Sequence, residues 1–334
     1  MANKNCAQIV MFKTTIVTMF YNLKNLADAS NVTRPLEFYV ENGRHTLSLA
    51  YPMVIFCDEE TIDIIKKVRS KVDPAIPTTY IVKKLTDYDF YADNFDIIQE
   101  NREGVSHYGH AGQRNTSSYF LITMFKSVCL RIAKNRNDYN TPFYAWVDLG
   151  CNHVLKNVSE YAPRMLDNPK PKICACYIHY RSKEELANLD EFFRVGGPCG
   201  MAATVFTAEA SYIDRFYNGM MELFHMQLCK RTGHSDEQTM TLCYDKYPAL
   251  FTIYNGDYYS ILTNYHETTT DLSSIKYNFI YTTMNSKEYD LAKEAIMRVL
   301  DSLNSRENSS LSHDELDIKT ELTHLYNHRC TDSV

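Results

Sequence analysis

No two cysteines in this 334-residue chain are spaced Cys-x-x-Cys; the closest, Cys174 and Cys176, flank a single residue. Ten cysteines are scattered, and several, such as Cys129 and Cys243, lie inside apolar runs. That pattern excludes a disulfide frame or zinc site and reads as buried thiols in a reducing compartment. There is no long basic run, and the formal net charge is −6. Nucleic acid is therefore not an expected partner. No apolar stretch reaches the ~20 residues of a transmembrane helix. The run Ile9 to Tyr21 is broken by Lys13 and has no small-residue cleavage site. The expectation is a cytoplasmic protein, in which the sequon Asn31-Val32-Thr33 is a chance match. Internal repeats are absent. Tyr21 to Asn25, after the first apolar run, holds no glycine, which counts against a phosphate-gripping glycine-rich loop.

What is present is an ordinary globular composition, 45% hydrophobic and 23% charged. Aromatic content is 13%, with 25 tyrosines against one tryptophan. A tyrosine pairs an apolar ring with a polar tip, which suits stacking on sugars; a plain composition bias explains the count equally well. Continuous apolar, β-branched runs predict strands at 14–21, 52–58, 78–82, 143–149 and 172–180, a strand after the Gly196-Gly197-Pro198 turn, and one at 249–254. Helical periodicity predicts helices at 36–49, 59–71, 117–133, 209–231, 235–246, 286–303 and 314–326. Residues 86–115 read as irregular. Strand–helix–strand alternation implies an α/β fold with a mostly parallel central sheet flanked by helices. The polar spacer 304–312 is the best linker candidate. The division expected is one domain over 1–285 with a helical C-terminal extension over 286–334.

In an open parallel sheet, ligands bind beyond the carboxyl ends of the strands. Phe143 to Gly150 ends in Asp148, placed to hold a hard divalent cation that bridges phosphates. Asn152 and His153 follow closely enough to add a ligand or a ribose contact. A turn-capping role for Asp148 is the simpler reading. Ser235-Asp236-Glu237-Gln238 has the spacing of a capping box at a helix start; one of its acids could equally be a general base. Arg194-Val195-Gly196-Gly197 permits close backbone approach or is a tight turn. Arg114 and Lys126 are cations suited to a diphosphate, or solvated side chains. Gly256-Asp257-Tyr258 and Asn264-Tyr265-His266 come late in the chain; His266 is either a completing ligand or a surface residue.

The order of these pieces resembles the HtrL/YibB-type, or WlaTC-like, family, a sparsely characterised set read as glycosyltransferases. It rests on Thr15-Ile16-Val17-Thr18, Val54-Ile55-Phe56 with Asp58, Arg69, Lys126, Phe143-x-x-Trp146-Val147-Asp148-x-Gly150, Gly196-Gly197 and Asp236-Glu237-Gln238. These span residues 14 to 266. The resemblance implies a GT-A-like α/β domain with its nucleotide against the first strands and a metal on an Asp-x-Asp motif. Asp148 takes the first acidic position; Gly150 stands in the second, which moves the further ligand to Asn152 or His266. Thr18, Phe20 and Asp58 would border the nucleoside, and Arg69 would face the base or the diphosphate. Trp146, Gly150 and Gly197 complete the expected nucleotide-sugar contacts.

The reaction so implied moves a sugar from a nucleoside diphosphate sugar to a glycan hydroxyl. Asp148 would hold Mn²⁺ or Mg²⁺, Lys126 or Arg114 would add positive charge, and Asp236 or Glu237 would act as base with inversion. The alternatives are a degenerate glycan-binding relative and a nucleotidyltransferase-like enzyme.

Overall fold

Seven strands form one mixed sheet in the order β3-β2-β1-β4-β6-β5-β7. The structure is a computed structural model and describes residues 12–29, 34–103, 116–194, 200–233 and 235–329. The strands are β1 (Thr14–Phe20), β2 (Met53–Cys57), β3 (Thr78–Val82), β4 (Phe143–Val147), β5 (Ile173–Tyr177), β6 (Met201–Glu209) and β7 (Phe251–Asn255). The helices of the first half are α1 (Leu36–Leu47), α2 (Ile62–Arg69), α3 (Asp89–Ala92), α4 (Phe95–Arg102), α5 (Ser117–Arg136), α6 (Asn152–Leu155) and α7 (Val158–Asp167). Those of the second are α8 (Lys183–Ala187), α9 (Leu189–Arg194), α10 (Ala210–Cys229), α11 (Asp236–Lys246), α12 (Leu272–Ile275), α13 (Tyr281–Asn285), α14 (Tyr289–Asn304) and α15 (His313–Arg329).

The strands are unbroken apolar runs because both faces of the sheet are covered. Successive side chains point to opposite faces. Val17, Val54 and Trp146 join one core with α5, α10 and α14. Ile16, Ile55 and Val147 join the other with α1, α2 and α7. β1, β2, β3 and β4 are mutually parallel; β6 runs antiparallel to both β4 and β5, and β5 is parallel to β7. The mostly parallel α/β sheet expected of a GT-A-like domain is thus present, with one reversed strand. Part of the stretch read as irregular is helical: α3 and α4 bury Tyr91 and Ile98. The C-terminal helices share the first core through Ala295, Ile296, Val299, Ile318 and Leu322.

Strand order sets the place of a ligand. From β1 the chain steps outward to β2 and β3, then returns to lay β4 on the other side of β1. Between β1 and β4 lies the switch in strand order, where neighbouring loops diverge and leave a crevice beyond the carboxyl ends. Phe20, Cys57 and Val147 end their strands at that edge.

Candidate active site

Three segments distant in sequence meet at this edge. Asp148 follows the last residue of β4, and its backbone N–H is fixed to Thr204 O at 2.9 Å. The indole N–H of Trp146 donates to Asp148 Oδ1 at 2.7 Å. Trp146 is fully buried, so it orients the carboxylate from below and does not itself face a nucleotide, as the sequence had suggested.

Lys126, on α5, reaches the same carboxylate: Nζ lies 3.0 Å from Asp148 Oδ1 and 3.1 Å from Oδ2. It also donates to Ala203 O at 3.1 Å and lies 2.8 Å from Asp236 Oδ2. Burial works against its charge, but the two carboxylates outweigh that and hold the ammonium above the usual lysine range. Asp236, the first residue of α11, is 5% exposed. Burial pushes its carboxyl up; Lys126 opposes the shift and Asp148 adds to it.

Position 236 is fixed by its helix. Thr239 Oγ1 donates to Ser235 O and accepts from Gln227 Nε2, both at 2.9 Å. Met201 N–H donates to Thr241 Oγ1 at 2.9 Å, which ties α11 to the start of β6. The capping box expected over Ser235–Gln238 does not form. Ser235 is the N-cap residue and its side chain makes no cap hydrogen bond, while the Gln238 amide nitrogen donates to Phe192 O at 3.0 Å. Thr232 Oγ1, Ser235 Oγ and Gln238 Oε1 are buried with no hydrogen-bond partner, and Asp236 Oδ2 has none beyond its ion pair. Such atoms each cost about 1–3 kcal/mol and concentrate where a ligand completes them.

Glu237 is half-buried and accepts from Tyr258 Oη at 3.1 Å. Tyr119 sits two turns before Lys126 on the same face of α5, and its hydroxyl is raised above the usual range by burial and next by Asp236, with Glu237 and Tyr39 nearby. Ser118 anchors that helix start: its N–H and hydroxyl both donate to Asp28. The sequence reading missed Tyr119, Tyr39 and Asp28 and named Tyr258 only within the late Gly256-Asp257-Tyr258 piece; the seven-residue spacing from Tyr119 to Lys126 was the available signal. It also missed Arg34. That side chain donates to His153 Nε2 at 2.7 Å, so Nδ1–H of His153 donates to Gly150 O at 2.6 Å. A β-carbon on Gly150 would sit 2.9 Å from the Tyr39 ring, which is the packing reason for glycine there.

The remaining predicted residues divide. Phe20 and Asp58 border the crevice from β1 and β2, with Phe20 buried and Asp58 Oδ1 capping the turn through the Thr61 N–H and hydroxyl, at 3.0 and 2.9 Å. Thr18 is buried under this edge, its hydroxyl unpartnered. Arg69 is at the opposite end of the sheet. It is 5% exposed and donates to Leu47 O, Leu49 O, Tyr51 O and Thr78 Oγ1, which fixes the entry to β2 and β3 and leaves no donor for a nucleotide. His266 is likewise remote. Its Nε2 is 3.1 Å from Arg164 O, beside Lys170 ahead of β5, at the strand-start end. Asn152 Oδ1 accepts from Val158 N–H at 3.3 Å. Arg114 and Gly197 lie outside the described residues.

A hard divalent ion needs about six oxygen ligands. Asp148 meets an indole N–H and an ammonium, the Asn152 oxygen closes a turn, and His266 is elsewhere. Among the described residues no group of three or more His, Cys, Asp or Glu is placed to hold a metal. The expected ligand set does not fit Mn²⁺ or Mg²⁺.

The sequence profile described as "Bacterial protein of unknown function (HtrL_YibB)" matches residues 12–267, and the chain belongs to that family. No curated protein matches the sequence significantly. Among solved structures, mouse xyloside xylosyltransferase 1 in its apo form is similar at 14% identity, over 72% of this chain and 84% of that one, with a TM-score of 0.39. Core-mannan synthase A from Aspergillus fumigatus, in its Mn/GDP form, is similar at 11% identity over 75% and 74%, TM-score 0.39. A 4-diphosphocytidyl-2C-methyl-D-erythritol synthase from Anaerococcus prevotii is similar at 10% identity over 80% and 96%, TM-score 0.35.

Proposed function

We propose that this member of the HtrL_YibB family transfers a sugar from a nucleoside diphosphate sugar to a hydroxyl of a glycan acceptor. The observation that carries the reading is the cluster of Lys126, Asp148 and Asp236 at the switch in strand order, with Glu237 half-exposed beside it. The donor lies in the crevice between the ends of β1, β2 and β4, with the nucleoside toward Phe20 and Asp58. Glu237 is the base. Asp236 is buried and paired with Lys126, whereas Glu237 is partly open and is oriented by the Tyr258 hydroxyl.

In the transfer step the acceptor O–H gives its proton to Glu237, and its oxygen forms a bond to the anomeric carbon. The bond from that carbon to the diphosphate oxygen breaks, and its electron pair leaves with the diphosphate. A single base on the acceptor side gives inversion. Tyr119, Tyr258 and Tyr39 line the site and supply faces and hydroxyls suited to a sugar ring. The described cysteines are free, and all but Cys229 are buried, which supports a reducing, cytoplasmic setting. No helix among the described residues is long and apolar enough to cross a membrane.

The test is a thermal-shift screen with UDP, GDP and dTDP and their sugar conjugates, followed by a donor-hydrolysis assay. Stabilisation by a nucleotide sugar, and release of its sugar lost in Glu237→Gln, supports the reading. Binding of a sugar with no nucleotide response would make the chain a glycan-binding relative, and no response to any of them would sink the proposal.

A further inference from the structure

The carboxylates of Asp148, at the end of β4, and Asp236, at the start of α11, converge, and convergent acids beside a phosphate site are ordinarily bridged by a cation. Here a cation is already built in. Lys126 Nζ lies 3.0 Å from Asp148 and 2.8 Å from Asp236, and its third contact is Ala203 O at 3.1 Å. An ammonium has three N–H donors, so all three are directed at oxygen. The side chains of Lys126 and Asp236 are 10% and 7% exposed, and α5 holds the lysine stem on the buried face of the sheet.

We infer that Lys126 is the resident cation of this site, and that the protein binds its nucleotide without a divalent metal at Asp148. The inference rests on the transferase reading for what the site binds, but not for the ion itself. A divalent ion arriving from solution must displace a tethered ammonium. A tethered group competes at an effective concentration of millimolar or above. It must also leave the ammonium buried and unpaired, a costly outcome. Gly150 stands where a second strand-end acid would strengthen the pull on a metal, and the Asn152 oxygen is held by Val158 N–H. Both features favour the lysine.

Purified protein is titrated with Mn²⁺ alone, and free ion is followed by electron paramagnetic resonance. Wild type takes up no stoichiometric Mn²⁺. Lys126→Met, which keeps the stem and removes the charge, unmasks the two acids and binds Mn²⁺ at least about tenfold more tightly; Lys126→Met combined with Asp148→Asn loses that gain. Lys126→Gln replaces the methionine variant if the latter does not fold. Stoichiometric Mn²⁺ uptake by wild type that Asp148→Asn abolishes would overturn the inference. So would a folded Lys126 variant that gains no Mn²⁺. A parallel arm measures UDP, GDP and dTDP binding in EDTA and in Mn²⁺. Equal affinity in both supports the inference, and affinity only in Mn²⁺ overturns it. Binding in neither condition refutes the transferase reading and leaves the Mn²⁺ titration to decide the role of Lys126.

Discussion

Replacing Arg69 with alanine separates an architectural arginine from a ligand-binding one. Nη1 donates to Leu47 O at 2.9 Å and Leu49 O at 2.7 Å, and Nη2 to Tyr51 O at 3.3 Å. Nε and Nη2 share Thr78 Oγ1 at 3.0 and 2.9 Å. These carbonyls belong to the end of α1 and the turn into β2, where a helix leaves its last C=O groups without partners. Truncation strands the buried carbonyls of Leu47 and Tyr51, while Leu49 O keeps the Tyr51 N–H at 2.9 Å. At about 1 kcal/mol each, the low end for an unsatisfied group, the loss is about 2 kcal/mol. Unfolding entropy near 2.1 cal/mol/K per residue gives about 0.7 kcal/mol/K for 334 residues, so the melting temperature falls by about 3 °C. Arg69→Lys recovers only part of this, because an ammonium lacks the planar fork. Calorimetry gives the shift, and titration at 20 °C gives the affinity for whichever nucleotide wild type binds, which stays within about twofold because no ligand contact is touched. An unchanged melting temperature with abolished nucleotide binding would refute the assignment.

Glu237→Gln lowers turnover by about 10²–10⁴-fold, as expected for loss of a general base, while its melting curve moves little; a large stability loss with normal turnover would return the residue to a capping role. Gly200 has φ of +80°, and a β-carbon there would meet Thr241 Oγ1 at 2.4 Å. Gly200→Ala therefore costs at least about 2 kcal/mol in denaturant unfolding, and an unchanged midpoint would show that the start of β6 can shift away from α11. Among the described cysteines, native alkylation read by mass spectrometry modifies Cys229 and spares Cys57, Cys129, Cys151, Cys174, Cys176 and Cys243, which are buried; burial also pushes the thiols of Cys57, Cys151, Cys174 and Cys243 up to about 12. Rapid native labelling of any of these six would contradict the packing. Arg306 and the Ser312 N–H hold the Glu315 carboxyl down to about 2 from its ordinary 4.5. A depressed carboxyl stabilises above the ordinary value and loses that contribution as pH falls through the depressed one. Pepsin cleavage around α15 therefore rises as pH is lowered from 5 toward 2, modestly because the pair is partly exposed, and Glu315→Gln flattens the dependence.

The sheet was legible because seven buried strands leave unbroken apolar runs, and the predicted strands fall within a few residues of β1 to β7. Strand direction was not: β6 carries the same buried pattern as a parallel strand, and direction is set by which neighbour it meets. The short helices α3, α4, α8, α9 and α12 carry too few turns for periodicity to register. At the site, Lys126, Asp148 and Asp236 were each singled out, but pairing across three segments is a property of packing that no local spacing encodes. Arg69 was misplaced for the same reason. A cation one helix beyond a strand end reads alike whether its side chain turns to the ligand edge or to the opposite one. The capping-box spacing over Ser235–Gln238 forms no box: neither Ser235 Oγ nor Gln238 Oε1 has a partner, and the buried Gln238 amide nitrogen donates to Phe192 O.

The seam between β4 and the reversed β6 joins the half of the sheet that holds Asp148 to the half that carries α11. Lys126 rivets that seam, with contacts to Asp148 on one side and to Ala203 and Asp236 on the other. Either half alone lacks one jaw of the site. A ligand gripping both jaws therefore holds the seam closed, and its binding should raise the melting temperature of the whole chain.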